Sequence, residues 1–153
     1  MFARGDGDAS GETFASAKNV AKGAYVLAEA PNGSPDVILI ATGSELQLAV
    51  DAREALKADG INARVVSAPS LEWFEEQTAA YRESVLPSGV KARVSVEAGL
   101  ALGWSKYTGD AGRSVSIEHF GASADYKTLF REFGITTEAV VAAAKDSLAV
   151  VQA

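Results

Sequence analysis

The chain has 153 residues, a formal net charge of −6 and no cysteine. That length fits one domain able to bury a core, and the 48% hydrophobic and 22% charged residues are those of a soluble globular protein. The acidic balance argues against a nucleic-acid or membrane-surface partner, and the missing thiols exclude disulfides, thiolate metal sites and a cysteine nucleophile. Residues 1–16 are rich in Gly and small polar residues, with no apolar run like a signal-peptide core. They read as a tail, and residues 1–21 as a whole as a linker from a preceding domain. A cytoplasmic protein is expected.

Residues 24–29, with Tyr25, Val26 and Leu27, suit a short strand, and Pro31 to Pro35 is a turn by composition. Residues 36–41, DVILIA, form a continuous apolar run with β-branched members, the pattern of a strand buried on both faces. Thr42 followed by Glu45 is a capping-box pattern. The helix after it carries Leu46, Ala49, Val50 and Leu56 on one stripe and is stopped at Asp59 and Gly60. A strand is expected over 61–68, a helix from Pro69 and Ser70 through Phe74, a turn or helix over 81–86, and a strand over 90–96. Residues 97–113 read as a short helix and loop. A strand follows over 114–118, then a helix over 124–133 capped by Ser123 and ended by Gly134. Thr136 or Thr137 caps a last helix with the stripe Val140, Val141, Ala144, Leu148 and Val151. This alternation predicts a three-layer α/β/α sandwich on a mainly parallel, five-stranded mixed sheet, the first strand an antiparallel neighbour of the second.

Open parallel sheets bind ligands beyond the carboxyl ends of their strands. Two loops there are candidates for an anion or regulatory site: Thr42, Gly43, Ser44 and Glu45, where amides at a helix start face outward, and the loop with His119 and Ser123. Each also has a plain structural reading, as a helix cap and as a surface histidine. The first loop lacks a P-loop lysine, a lone His makes a transition-metal site improbable, and no G-x-S-x-G elbow exists. Glu97 at a strand end is a candidate general acid or base, but a single carboxylate there is equally suited to capping the next helix or pairing with an Arg across an interface. No full set of nucleophile, base and charge stabiliser emerges.

Residues 36–45, DVILIATGSE, resemble the strand and loop that open the last domain of transketolases. Residues 64–70, RVVSAPS, resemble the next strand, where the family often has Met in place of Ala68. Residues 81–87, YRESVLP, 96–99, VEAG, and 120–136, FGASADYKTLFREFGIT, are similar to later motifs of that domain, in the same order. Asp125 stands where the family commonly has Pro, and both residues suit a helix's first turn. The resemblance to transketolase, with ordered matches from about Lys22 to Leu148 in a domain taken as residues 22–153, implies a two-carbon ketol transfer between sugar phosphates in the pentose phosphate pathway. It implies thiamine diphosphate and a divalent cation (magnesium or calcium), held by two preceding domains of a homodimer whose N-terminal domains are this chain's partners. The third domain adds to the dimer contact without touching the cofactor. No catalytic, cofactor or metal residue carries over, so the chain alone is expected to be inactive. Gly5, Asp6 and Gly7 lack the family's N-N about thirty residues on and do not make its diphosphate motif. Other readings are a regulatory ligand-binding module and the matching domain of another thiamine diphosphate enzyme.

Overall fold

Strand β2, Val37–Ala41, is buried at every position, and its side chains divide by alternation between two cores. Val37, Leu39 and Ala41 face one, Ile38 and Ile40 the other. Only a central strand covered on both faces needs such a run. In the computed structural model, which describes residues 14–153, β2 is the middle of a five-stranded sheet. The other strands are β1, Tyr25–Ala28, β3, Ala63–Ser67, β4, Arg93–Val96, and β5, Arg113–Val115, in the order β1-β3-β2-β4-β5. The pairs β2–β3, β2–β4 and β4–β5 are parallel.

β1 pairs antiparallel with β3, not with β2 as the short connection between them suggests. Both edges of β2 are taken by parallel neighbours, so the only open edge on that side belongs to β3. The strands begin or end inside the runs expected at 61–68, 90–96 and 114–118.

Helices α1, Leu46–Ala58, and α6, Thr137–Gln152, pack together over one face. Their Ala49, Leu56, Val140 and Ala144 meet Val37, Leu39, Val65 and Val94 there. The other face is covered by α2, Leu71–Glu75, α3, Ala79–Val85, and α4, Ser105–Thr108, where Phe74, Val85, Trp104 and Tyr107 cluster on Ile38, Ile40 and Val66. The three-layer α/β/α sandwich with a mixed sheet is therefore the observed architecture. A short helix α5, Tyr126–Glu132, lies before α6.

Part of the segment read as a tail and linker packs against the domain. Residues 1–13, with Gly5, Asp6 and Gly7, lie outside the described residues. Phe14 is buried in the α1/α6-side core, and a 3-10 helix spans Ala17–Lys22. Several caps also differ. Thr42 makes no side-chain cap bond and is followed by a 3-10 turn, Gly43–Glu45, so no capping box forms. Asp125, not Ser123, caps α5, accepting from the Thr128 amide at 3.1 Å. Thr136 caps α6 through the Ala139 amide at 3.2 Å. On α6, Val151 is 46% exposed and the buried stripe instead takes in Ser147.

Candidate functional site

The chain leaves β2 toward β3 and leaves β4 toward β5, in opposite directions across the sheet. Adjacent strands whose connections diverge open a crevice beyond their carboxyl ends, the usual ligand position in open α/β sheets. Here the crevice lies between the loop after β2, with Thr42, Gly43 and Ser44, and the loop after β4, with Glu97, Ala98 and Gly99. The protein closes it with its own side chain. Glu45, 7% exposed, sends one carboxylate oxygen across to the Ala98 amide at 2.7 Å, and Ser44 Oγ donates to the other at 2.7 Å. The carboxylate receives from an amide and a hydroxyl the hydrogen bonds that offset its burial. An anion at Thr42, Gly43 and Ser44 would sit beside this negative charge.

Two further carboxylates fasten neighbouring loops. Glu97 Oε2 accepts the Trp104 indole N–H at 2.8 Å, which orients a ring only 4% exposed. Trp104 is thus a core residue. Glu118 Oε1 accepts from the Ala101 amide at 2.9 Å and from Ser116 Oγ at 2.8 Å. The Ala101 amide first, then the Ser116 hydroxyl, holds the Glu118 carboxyl below its ordinary value of 4.5. The loops after β4 and β5 are also joined by the Ile117 amide donating to Gly99 O at 2.9 Å.

Beside the crevice, on the α2/α4 face, lies a cavity of about 210 Å³ lined by Thr42, Pro69, Ser70, Glu72, Glu97 and Trp104. Its walls carry two carboxylates and no cation. Ser70 caps α2 through the Trp73 amide at 3.3 Å. His119 is exposed, its Nδ1 2.8 Å from Phe120 O and its ring edge-on to Phe133 at 4.6 Å. Ser123 is exposed in the same loop. So Glu45 is bound to the β4 loop and Ser44 to Glu45, whereas the contacts of His119 run to Phe120 and toward α5. Among the described residues no group of three His, Asp or Glu is placed to hold a metal ion.

What the edge does present is apolar surface. Leu100 is 60% and Leu102 86% exposed on the loop after β4, and Phe120 is 97% and Tyr126 64% exposed after β5. The Glu118 and Ile117 bonds hold these two loops side by side, so their apolar side chains share one edge of the molecule. Sequence spacing could not reveal the staples, because Glu45 and Ala98 are 53 residues apart.

Comparison with known proteins agrees with the motifs. The family model for the transketolase-like TK C-terminal domain matches residues 23–136. The transketolase of Mycobacterium tuberculosis is 60% identical over 136 residues, covering 86% of this chain and 19% of its own. The chloroplastic transketolase of Solanum tuberosum is 55% identical over 131 residues, covering 85% and 18%. The structure of transketolase from Leishmania mexicana superposes with a TM-score of 0.82 at 40% identity, over 91% of this chain and 20% of that one. The chain therefore spans about a fifth of the length of the relatives it matches.

Proposed function

Because the chain belongs to the transketolase family, as its C-terminal domain, we propose that it serves an enzyme that moves a two-carbon ketol unit between sugar phosphates. That enzyme works in the cytoplasm, in the pentose phosphate pathway, with thiamine diphosphate and a divalent cation. In it this domain is non-catalytic and contributes to dimer contact and structural integrity, with the cofactor held by the N-terminal domains of the same enzyme. The observation that carries the assembly role is the exposed apolar edge. Leu100, Leu102 and Phe120 stand on two segments that hydrogen bonds hold side by side, and Tyr126 opens α5 beyond them. Grouped apolar surface of this kind marks a contact with another protein surface. Glu45, Glu97 and Glu118 behind it tie these loops in place through hydrogen bonds.

The test is made in the full-length enzyme with Leu102→Glu and Phe120→Glu together. Both side chains are almost wholly exposed here, so the domain's own fold should not change. Sedimentation should show a dimer dissociating roughly tenfold or more readily, as removal of buried anchors does at interfaces. A dimer as tight as the parent's would sink the assembly role. Ketol transfer by the purified 153-residue chain with thiamine diphosphate and magnesium would sink the non-catalytic reading.

A further inference from the structure

At the opposite, amino edge of β4 the surface chemistry inverts. A cavity of about 570 Å³ lies there, and among its lining residues are Ser88, Lys91, Arg93, Lys106, Thr108 and Asp110. Of its three cations Lys106 is paired with Glu75, which leaves Lys91 and Arg93 against Asp110, a local excess of positive charge on a chain whose net charge is −6. Arg93 is at the centre of this asymmetry. Its Nε donates to Val90 O at 2.9 Å and its Nη1 to Tyr107 O at 2.7 Å. Its Nη2 donates to Leu86 O at 3.3 Å and Pro87 O at 2.8 Å. These carbonyls satisfy hydrogen bonding but supply no net negative charge, and one Nη1–H is left over.

The neighbouring carboxylates are otherwise engaged. Glu83 Oε1 accepts from the Ser88 amide and from Ser88 Oγ, both at 2.8 Å, and acts on Arg93 only through space. Glu75 is taken by Lys106 Nζ at 2.8 Å. Burial accordingly lowers the Arg93 guanidinium from its ordinary value, with the Glu83 charge opposing. A partly buried cation without a close counter-ion is an unfavourable arrangement that an anion in contact would relieve. The volume lies within the range of small-molecule sites and exceeds what a bare ion fills.

We propose that this cavity binds a small phosphate monoester, its phosphate placed between Arg93 and Lys91 with Lys106 at the flank. This site is distinct from the carboxyl-edge loops and independent of the assembly role proposed above.

The experiment is calorimetric titration of the 153-residue chain with inorganic phosphate and with glycerol 3-phosphate, ionic strength being held constant with chloride. Lys91→Glu and Asp110→Asn are the variants, both at exposed positions where folding is not at stake. Millimolar binding is expected, with glycerol 3-phosphate tighter than inorganic phosphate. Lys91→Glu should weaken it about fivefold or more and Asp110→Asn should tighten it, since each changes one nearby charge. No binding by about 50 mM of either probe, or unchanged affinity in either variant, overturns the proposal. Unchanged affinity would mean that any anion bound lies elsewhere on the chain.

Discussion

Glu75 shows how a single ion pair in this domain should register in solution. Its carboxyl lies below the ordinary value of 4.5, chiefly through the hydrogen bond from Lys106, then that from the Tyr107 hydroxyl, with burial opposing. A carboxyl depressed on folding stabilises the fold above its unfolded value, and that stabilisation is lost as pH falls through the folded value. The stability difference between the parent and Lys106→Gln should therefore be constant above about pH 5 and close progressively below 4.5. Its size should be below about 1 kcal/mol, because Lys106 is 66% and Glu75 35% exposed at the side chain. Urea unfolding from pH 3 to 7, in chloride without phosphate, measures it, and a gap that widens toward low pH would refute the pairing. Other single residues were illegible in the sequence for a related reason. Ser147 sits on the buried stripe of α6, where helical spacing calls for an apolar side chain, yet it is 0% exposed. It donates to Ala111 O at 2.7 Å and accepts from the Arg93 amide at 3.1 Å, joining the helix to the entry of β4 and the turn before β5. Nothing local to α6 announces partners 36 and 54 residues away. Glu97 was visible as an isolated carboxylate, but its role depends on an indole whose direction only the folded loop defines.

At the scale of elements, what could be read was what depends on local periodicity. The DVILIA run gave β2 because burial on both faces needs an unbroken apolar stretch, and α1 followed from its stripe and its stop. The pairing of β1 could not be read, because it is decided by which sheet edge the two parallel crossovers leave open. Gly23 marks where that edge meets the second layer. It has φ +80°, its carbonyl accepts the Ser70 amide at 3.0 Å, and a Cβ there would lie 2.2 Å from Phe74 N and 2.4 Å from Ser70 O. Gly60, which ends α1, has nearly the same φ, +77°, but nothing within 4 Å of its imagined Cβ. The two positions separate backbone strain from steric conflict. Gly60→Ala should cost about 1 kcal/mol, the strain alone. Gly23→Ala should cost roughly 3 kcal/mol, because the start of α2 must also move off β1. Equal losses in paired urea melts would show that the contact of Gly23 with α2 is not rigid.

At the scale of the whole molecule, the matter is where the folding unit begins. The family model matches from residue 23, and composition alone places a linker up to residue 21. We infer an earlier start, from contacts of residues 14–22 with the domain. Phe14 is 9% exposed in the core shared by α1, α6 and the sheet, and the Ala15 amide donates to Leu27 O of β1 at 3.0 Å. The 3-10 helix over Ala17–Lys22 contacts both α2 and β1, so it spans the seam between the antiparallel edge strand and the second helical layer. Lys22 Nζ lies 5.3 Å above the Tyr81 ring, whose hydroxyl donates to Ala24 O at 2.9 Å. A chain beginning at Gly23 keeps all five strands and both cores, so it should fold. It loses the Phe14 side chain, worth about 2–3 kcal/mol of burial, and leaves the outer face of β1 open. Relative to a chain beginning at Phe14, it should unfold at lower urea, with a total loss of roughly 3 kcal/mol out of the 5–15 typical of domains. Its amide exchange should accelerate first in β1 and at the start of α2, while β2 and β4 keep the protection of the central sheet. Equal stability of the two chains would mean that residues 14–22 merely rest on the domain, and that its boundary lies at Gly23 after all.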